Sequence, residues 1–411
     1  MEPWNVLVEG DNLDVLRALA RAGESFDLAY IDPPYNTGSV FAYHDDLRGS
    51  DGRRAGRHRA WVDMMRPRLE AARQVLSRRG AICVSIDDNE AAYLRILMDE
   101  VFGEANFLAQ VVVNLNPKGR QLGRGFATSH EYLLVYAVDA RHCALEASTA
   151  EAVDERDFPQ VAADGRRYRH LPLRNTNKKF NPTTARTLHF PLWGNVETGE
   201  VRTAPFDGAV EIAPVFGDGR PAVWRWSAPL VEERWADLVC RRIRGRLGER
   251  IDVFQRDWFD VVDGRPRRKK LTTIWLAEEV GSTDTAVAEL KALVGHVFES
   301  PKPTGLIRRL LATMPPDARV IDFFAGSGTT GHAVALANAE DGGVRTCLSV
   351  QLGEPVRPGS NADRAGLRTL ADITRARLTA VAEIAGGGFA ERAIEEIRAG
   401  AEEQALPDAA S

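Results

Sequence analysis

The chain has 411 residues, 44% of them hydrophobic and 27% charged, with a formal net charge of −5. That length exceeds one ordinary domain, and the composition excludes disordered and fibrous chains. No run approaches the roughly 18 consecutive apolar residues of a membrane helix, so we expect no membrane span.

The N-terminus, Met1-Glu2-Pro3-Trp4-Asn5-Val6-Leu7-Val8, lacks the basic start and apolar run of a signal peptide. Short apolar runs then alternate with amphipathic segments, the pattern of a parallel α/β sheet. Strands are predicted at Asn5–Val8, Asp27–Ile31, Ala81–Ile86, Gln110–Asn114 and Tyr132–Ala137. Between them, Asn12–Ala22 carries Leu13, Leu16 and Leu19 at helical spacing. Trp61–Ser77 puts Trp61, Met65, Leu69, Ala72 and Leu76 on one stripe, with Pro67 interrupting it. Asn89–Phe102 is a third helix with Asn89 as its N-cap. With no helix between them, the fourth and fifth strands are expected to pair antiparallel. From about Glu146 to Glu279 periodicity fades. Phe180-Asn181-Pro182, Pro191-Leu192-Trp193-Gly194 and Val223-Trp224-Arg225-Trp226 read as irregular structure with short strands. After Val294 the α/β pattern returns, with helices at Thr304–Met314, Thr329–Asn338 and Arg364–Ile384 and strands at Arg319–Phe323 and Thr346–Gln351. Seven strands result. The domains are expected at 1–145, 146–280 and 281–385, with a loose tail at 386–411 holding at most a short helix near Ala390–Ala399.

Charge is unevenly distributed. Arg234 to Lys270 contains twelve Lys/Arg and six Asp/Glu, so this stretch is +6 and the remainder −11. A basic module beside an acidic body is compatible with a phosphate-binding face, or with a charge-rich solvated surface. Cys83, Cys143, Cys240 and Cys347 form no CxxC pair and no Cys/His metal pattern. We expect free thiols, no metal and a cytoplasmic protein.

Two motifs carry chemistry. Val320-Ile321-Asp322-Phe323-Phe324-Ala325-Gly326-Ser327-Gly328-Thr329-Thr330 is a strand, a glycine turn and a helix start. Glycines let the backbone approach a ligand, and the helix N–H groups receive polar or anionic atoms. No Lys-Ser/Thr follows, which argues against a P-loop. Gly326-x-Gly328-x-x-Gly331 does fit the dinucleotide pattern, so a nicotinamide-dependent oxidoreductase is one reading. Asp322 at the strand end suits the methionine ammonium of S-adenosyl-L-methionine (AdoMet) better than a pyrophosphate. An acidic group after the next strand, Glu354 in Gln351-Leu352-Gly353-Glu354, can accept ribose hydroxyls of either cofactor.

The second motif is Asp32-Pro33-Pro34-Tyr35, which follows the strand Leu28-Ala29-Tyr30-Ile31 directly. Two prolines stiffen the turn and withhold two N–H donors. Asp32 and the Pro33 carbonyl can each accept one N–H of an exocyclic amine, while Tyr35 stacks on the base. Such an amine is a poor nucleophile, because its lone pair is delocalised into the ring. Two acceptors favour a more tetrahedral nitrogen aimed at a sulfonium methyl, in a direct in-line transfer. As a surface feature, the same tetrapeptide would be an Asp-capped Pro-Pro turn.

The combination resembles the β group of amino-DNA methyltransferases, and within it the modification subunits of type III restriction systems. Glu9-Gly10-Asp11-Asn12-Leu13 resembles the family's turn where an acid meets the AdoMet adenine. Tyr30 to Gly38 resembles the catalytic motif in its type III form. Gly80–Asp88 and His130–Tyr136 resemble later sheet motifs, Phe298-Glu299-Ser300-Pro301-Lys302-Pro303 the segment over the methionine end of the cofactor, and Asp322 to Thr330 the AdoMet loop. The likeness covers about residues 5–140 and 285–385. It implies a Rossmann-like class I AdoMet methyltransferase fold, circularly permuted because the catalytic motif precedes the cofactor loop, with an inserted target recognition module. It implies N6 methylation of adenine in double-stranded DNA, with Asp32, Pro33, Pro34 and Tyr35 catalytic. Asp11, Asn12, Lys302, Asp322, Phe324, Ala325, Gly326, Gly328, Thr329 and Glu354 are expected to hold AdoMet. A homodimer and a type III restriction subunit are the partners it suggests, although the chain is short for a type III modification subunit. Cytosine N4 is the alternative target, and a catalytically dead DNA-binding module is a further reading that the intact motifs oppose. The Arg- and Gly-rich stretch Arg48–Arg59 reads as a mobile loop over the DNA, with a disordered insertion as the alternative.

Overall fold

The computed structural model describes residues 3–37, 54–119, 125–146, 148–152, 154–245, 248–259 and 268–405. It divides into two compact units, one of Met1–Ser148 with Lys270–Ser411 and one of Thr149–Lys269.

The first arm of the larger unit begins with β1 (Asn5–Glu9), α1 (Asn12–Arg21) and β2 (Phe26–Ile31). Asp11 caps α1 by accepting the Leu13 and Asp14 amides, and Val15, Leu16, Ala18 and Leu19 supply its buried face. Next come α2 (Arg54–Val75), β3 (Leu76–Ile86), α3 (Ala91–Phe102), β4 (Phe107–Val113) and β5 (Glu131–Ala137). The expected stripe on α2 is real: Trp61, Met65, Leu69 and Ala72 are all fully buried. The helix begins earlier than predicted and runs through Pro67. Of the Arg-rich stretch, residues 48–53 lie outside the described residues, as does Gly38. Residues 54–59 are the first turns of α2 rather than loop. Asn89 does not cap α3. Its own N–H is taken by Asp87, and Glu90 occupies the cap position.

The smaller unit contains β6 (Ser148–Ala152), β7 (Gln160–Val161), β8 (Arg167–Pro172), β9 (Leu192–Gly194), β10 (Val201–Arg202), β11 (Val210–Ile212), α4 (Ala228–Glu233), β12 (Leu238–Gly245), β13 (Gly248–Trp258) and β14 (Arg268–Lys270). Three small sheets form, ordered β10-β9-β11, β12-β13-β8-β7 and β14-β6. Trp224 and Trp226 are core, packed with Leu173, Leu192, Val231 and Val253. Arg225 between them is exposed.

The second arm supplies β15 (Ile274–Trp275), α5 (Ala277–Val280), α6 (Thr283–Val294), α7 (Thr304–Leu311), β16 (Arg319–Asp322), α8 (Thr329–Asp341), β17 (Thr346–Gln351), α9 (Asn361–Arg364), α10 (Leu370–Ala385), β18 (Phe389–Glu391) and α11 (Ile394–Ala405). The predicted helix from Arg364 is two helices. Gly366 turns the chain at φ 84°, and Thr369 opens α10 with a capping box to Asp372.

Both arms build one sheet, ordered β15-β4-β5-β3-β2-β16-β17-β1-β18. The sheet is Rossmann-like, with its strands in the permuted order expected, and parallel except for β5, which runs against both β3 and β4. The seven predicted strands are all present, and among the described residues the sheet has nine. β15 and β18 add short parallel edges of two and three residues, too short for alternation to register in sequence. β18 and α11 also correct the loose tail: β18 pairs with β1, and Ile397 is fully buried in the core. The three glycines Gly386–Gly388 that suggested looseness instead make the turn into β18.

Candidate active site

β2 is buried along Leu28–Ile31 and delivers Asp32 to the end of the sheet. The turn beyond it is bolted down from three sides. Trp61 Nε1 donates to the Pro34 carbonyl at 2.7 Å. Asn36 is fully buried and left-handed at φ 57°, a conformation that asparagine tolerates better than most residues. Its amide donates to Glu90 Oε1 at 2.6 Å and to the Arg57 carbonyl at 3.3 Å. Glu90 in turn meets His58 Nδ1 at 2.7 Å, tying the turn to α2 and to the start of α3.

Four side chains meet in front of the turn. Lys302 Nζ lies 2.8 and 2.7 Å from the two Asp32 carboxylate oxygens and 3.4 Å from Glu131 Oε2. The Tyr35 hydroxyl donates to that same Glu131 oxygen at 2.9 Å, and Lys302 stands 4.8 Å from the centre of the Tyr35 ring. The Lys302 side chain is only 9% exposed. Burial works against its charge, but Asp32 and Glu131 outweigh burial and hold its pKa above the ordinary lysine value. Burial, reinforced by Asp32, pushes the Tyr35 phenol far up, so it stays a donor.

β16 ends at Asp322, and the chain passes Gly326 (φ 54°) and Gly328 (φ 78°) into α8. Gln351, at the end of β17, accepts the Gly326 N–H at 2.7 Å. Gly331 is required by packing: a Cβ there would lie 2.5 Å from both Asn5 Oδ1 and Leu378 Cδ2. Asp322 is buried and accepts from the Thr330 hydroxyl and the Phe324 N–H. Among the described residues no cation pairs with it. Burial therefore raises its pKa to about 7. Behind the loop, fully buried Arg377 donates to Thr329 Oγ1 (2.8 Å), Ser327 Oγ (3.1 Å) and His332 Nδ1 (3.0 Å). Burial lowers its pKa to about 10.

β2 and β16 are parallel neighbours, paired Leu28 to Val320 and Ala29 to Ile321. The two motifs, at least 285 positions apart in sequence (Tyr35 to Val320), thus leave the same end of adjacent strands and share one cleft. Asp11, Asn12, Asp32, Pro34, Lys302, Asp322, Phe324, Ala325, Gly326, Thr329 and Glu354 line it. Pro33, Tyr35 and Gly328 do not; Gly328 sits instead against Thr374. Asp11 doubles as the α1 cap and pairs with Arg68 at 3.0 Å. Sequence reasoning missed Arg68, Gln351 and Arg377. Gln351 was visible as the strand end, whereas Arg68 and Arg377 are ordinary helix arginines whose partners come from other elements.

Comparison with known proteins bears on the same residues. The profile of a family described as DNA methylase, covering N6 and N4 enzymes, matches residues 26–344, which takes in both motifs. The type II methyltransferase M.KpnI of Klebsiella pneumoniae is 34% identical over 379 residues, covering 91% of this chain and 87% of its own. The EcoPI Mod subunit of a type III restriction-modification enzyme from Escherichia phage P1 is 35% identical over 413 residues. This chain spans 62% of that subunit's length, and 57% of the StyLTI Mod subunit of Salmonella typhimurium, to which it is 31% identical. Among solved structures, the cytosine-N4-specific PvuII DNA methyltransferase aligns at TM-score 0.41 and 12% identity, covering 95% of this chain and 97% of that one. The M1.HpyAVI–SAM complex aligns at 0.36 and 10%, covering 85% and 93%. With the family profile spanning both arms and M.KpnI matched over nearly its whole length, this chain belongs to the N6/N4 DNA methylase family.

Proposed function

We propose that the chain transfers the methyl group of AdoMet to the N6 amino group of adenine in double-stranded DNA. The observation that carries this is the shared cleft: an amine-accepting turn and a glycine loop on neighbouring parallel strands. The residues fit the cofactor. Asp322 is a buried carboxylate with no cation partner among the described residues, a place the methionine ammonium would fill. Glu354 faces the same cleft for the ribose hydroxyls, with Asp11 and Asn12 at the adenine end. Phe324 to Ser327 and Thr329, with Lys302, would enclose the methionine portion. AdoMet contributes an electrophilic methyl on a sulfonium.

This chain's own residues prepare the amine. Asp32 and the Pro33 carbonyl accept its two N–H groups, drawing the nitrogen toward a tetrahedral geometry. Tyr35, fixed by Glu131, gives the flipped base a flat surface. The buried turn, held by Trp61 and Asn36, keeps these acceptors from relaxing.

The smaller unit would be the target recognition module. Arg242 and Arg244 are exposed on one face of β12 and would meet phosphates there, while Arg241 on the opposite face pairs with His170. A homodimer and a type III restriction subunit are the proposed partners, the latter because EcoPI and StyLTI relatives are Mod subunits. No helix among the described residues is long and apolar enough to cross a membrane. Tritiated AdoMet with unmethylated phage DNA, followed by nucleoside analysis, tests the function. Labelled N6-methyladenine is expected. Labelled N4-methylcytosine would replace adenine with the alternative target, and no label would refute methyl transfer.

A further inference from the structure

We propose that Glu131 is the second seat of Lys302, drawing the lysine off Asp32 so that Asp32 can hold the target amine. This rests on the methyl-transfer reading above.

Asp32 meets the Lys302 ammonium through both oxygens, at 2.8 and 2.7 Å. A carboxylate so neutralised is a weakened acceptor for an amine N–H. The ammonium also stands where positive charge is least wanted: beside a nitrogen whose lone pair must attack a cationic sulfonium. Lys302 therefore has to leave Asp32 before transfer, and it cannot go bare. Its side chain is 9% exposed, and an unpaired ammonium in such a site is costly.

Glu131 solves this. Its Oε2 lies 3.4 Å from Lys302 Nζ, so a shift of well under one side-chain length converts that contact into a full ion pair. The carboxylate is already aimed, because the same oxygen holds the Tyr35 hydroxyl at 2.9 Å, and Glu131 opens strand β5. Two carboxylates thus share one ammonium within a cluster that also fixes the stacking tyrosine. Each state of the lysine is paired, and moving between them changes which carboxylate is open. Glu131 is a positioning residue: it acts on the amine through Lys302 and Asp32.

Glu131→Gln isolates the charge, since the amide oxygen can still accept from Tyr35. Wild-type, Glu131→Gln, Lys302→Met and the double variant are compared for methyl incorporation into unmethylated phage λ DNA. AdoMet affinity is measured by calorimetry and folding by thermal melting. Glu131→Gln is expected to lower kcat at least tenfold, with AdoMet affinity and KM within twofold and the melting temperature unchanged. In the Lys302→Met background the same substitution should lower the residual rate less than threefold, because no lysine remains to be moved. Turnover of Glu131→Gln within threefold of wild type would overturn the proposal, as would an equal loss in both backgrounds. A parallel loss of AdoMet affinity and melting temperature would also overturn it, by marking Glu131 as structural. Should wild type itself incorporate no methyl group, methyl transfer and this proposal fall together.

Discussion

Acidification should weaken AdoMet binding through Asp322. Its pKa in the cofactor-free protein is raised to about 7, chiefly by burial. Only the ionised carboxylate can pair with an ammonium, so below pH 7 each unit costs about tenfold in affinity. The ligand's own α-ammonium titrates near 8, which sets an upper limb. Multiplying the two ionised fractions places the optimum near pH 7.4, with affinity about sixfold weaker at pH 6.0. Calorimetric titration between pH 5.5 and 9 reads this directly. 5′-Deoxy-5′-methylthioadenosine, which lacks the ammonium, is the control and should bind without the acid limb. The same group has a stability signature of opposite sign. An acid whose folded pKa is raised favours the fold below its unfolded value near 4, and that favour is lost as pH rises through 7. Asp322→Asn removes the buried charge while Thr330 and Phe324 can still bond to the amide. At pH 8 the cofactor-free variant should be more stable than wild type by roughly 4 kcal/mol. At pH 4 the gain should vanish, and AdoMet binding should be weak at every pH. A flat AdoMet affinity from pH 6 to 7.4 would refute the reasoning.

Asp32→Ala should cut turnover by at least about a hundredfold while leaving AdoMet affinity within a few-fold, measured by methyl incorporation and calorimetry. Gly331→Ala gains helix propensity but drives a Cβ into Asn5 and Leu378, so a net loss of about 1–3 kcal/mol is expected in chemical denaturation. Trp224→Ala empties the core of the smaller unit and strands the Phe190 carbonyl. About 3–5 kcal/mol should be lost, and limited proteolysis should cut first within Thr149–Lys269. Replacing Arg242 and Arg244 together by Gln should weaken binding to any duplex and flatten the dependence of log affinity on log salt by about 2. An unchanged slope in fluorescence anisotropy would remove that surface from the DNA interface.

The sheet was legible because its signals are local. Buried parallel strands such as Leu28–Ile31 are continuous apolar runs, and Asp32-Pro33-Pro34-Tyr35 and Gly326–Gly328 are punctuated by residues with fixed backbone demands. What sequence reading lost was decided at a distance. Whether Gly386–Gly388 begin a loose tail or a turn depends on β1 offering an open edge. Asn89 had the side chain of a cap, but Asp87 claimed its N–H first. Nothing in Arg68 distinguishes it from its neighbours on α2 until Asp11 and Asn12 appear beside it. Arg377 is similar: its partners Ser327, Thr329 and His332 lie on the loop and on α8. The Lys302–Asp32 ion pair joins one residue from each arm, so neither flanking sequence announces it.

That division also explains why the permuted order works. β1, the first strand, lies between β17 and β18, which are among the last. β2 lies between β3 of its own arm and β16 of the other. Neither strand can bury its apolar residues using the first arm alone. Leu28 packs with Val320 and Cys347 of the second arm, and Asn5 donates across 326 positions to the Gly331 carbonyl. The core forms only when both arms are present, and the intervening chain need not contribute to it. An intervening segment of any length adds only a slowly growing loop-closure cost. Thr149–Lys269 has a core of its own in Leu173, Trp224 and Val253. The Asp32–Tyr35 turn and the Gly326–Gly328 loop are thus positioned by sheet neighbours rather than by sequence proximity. A separate module can therefore be carried between them without displacing either.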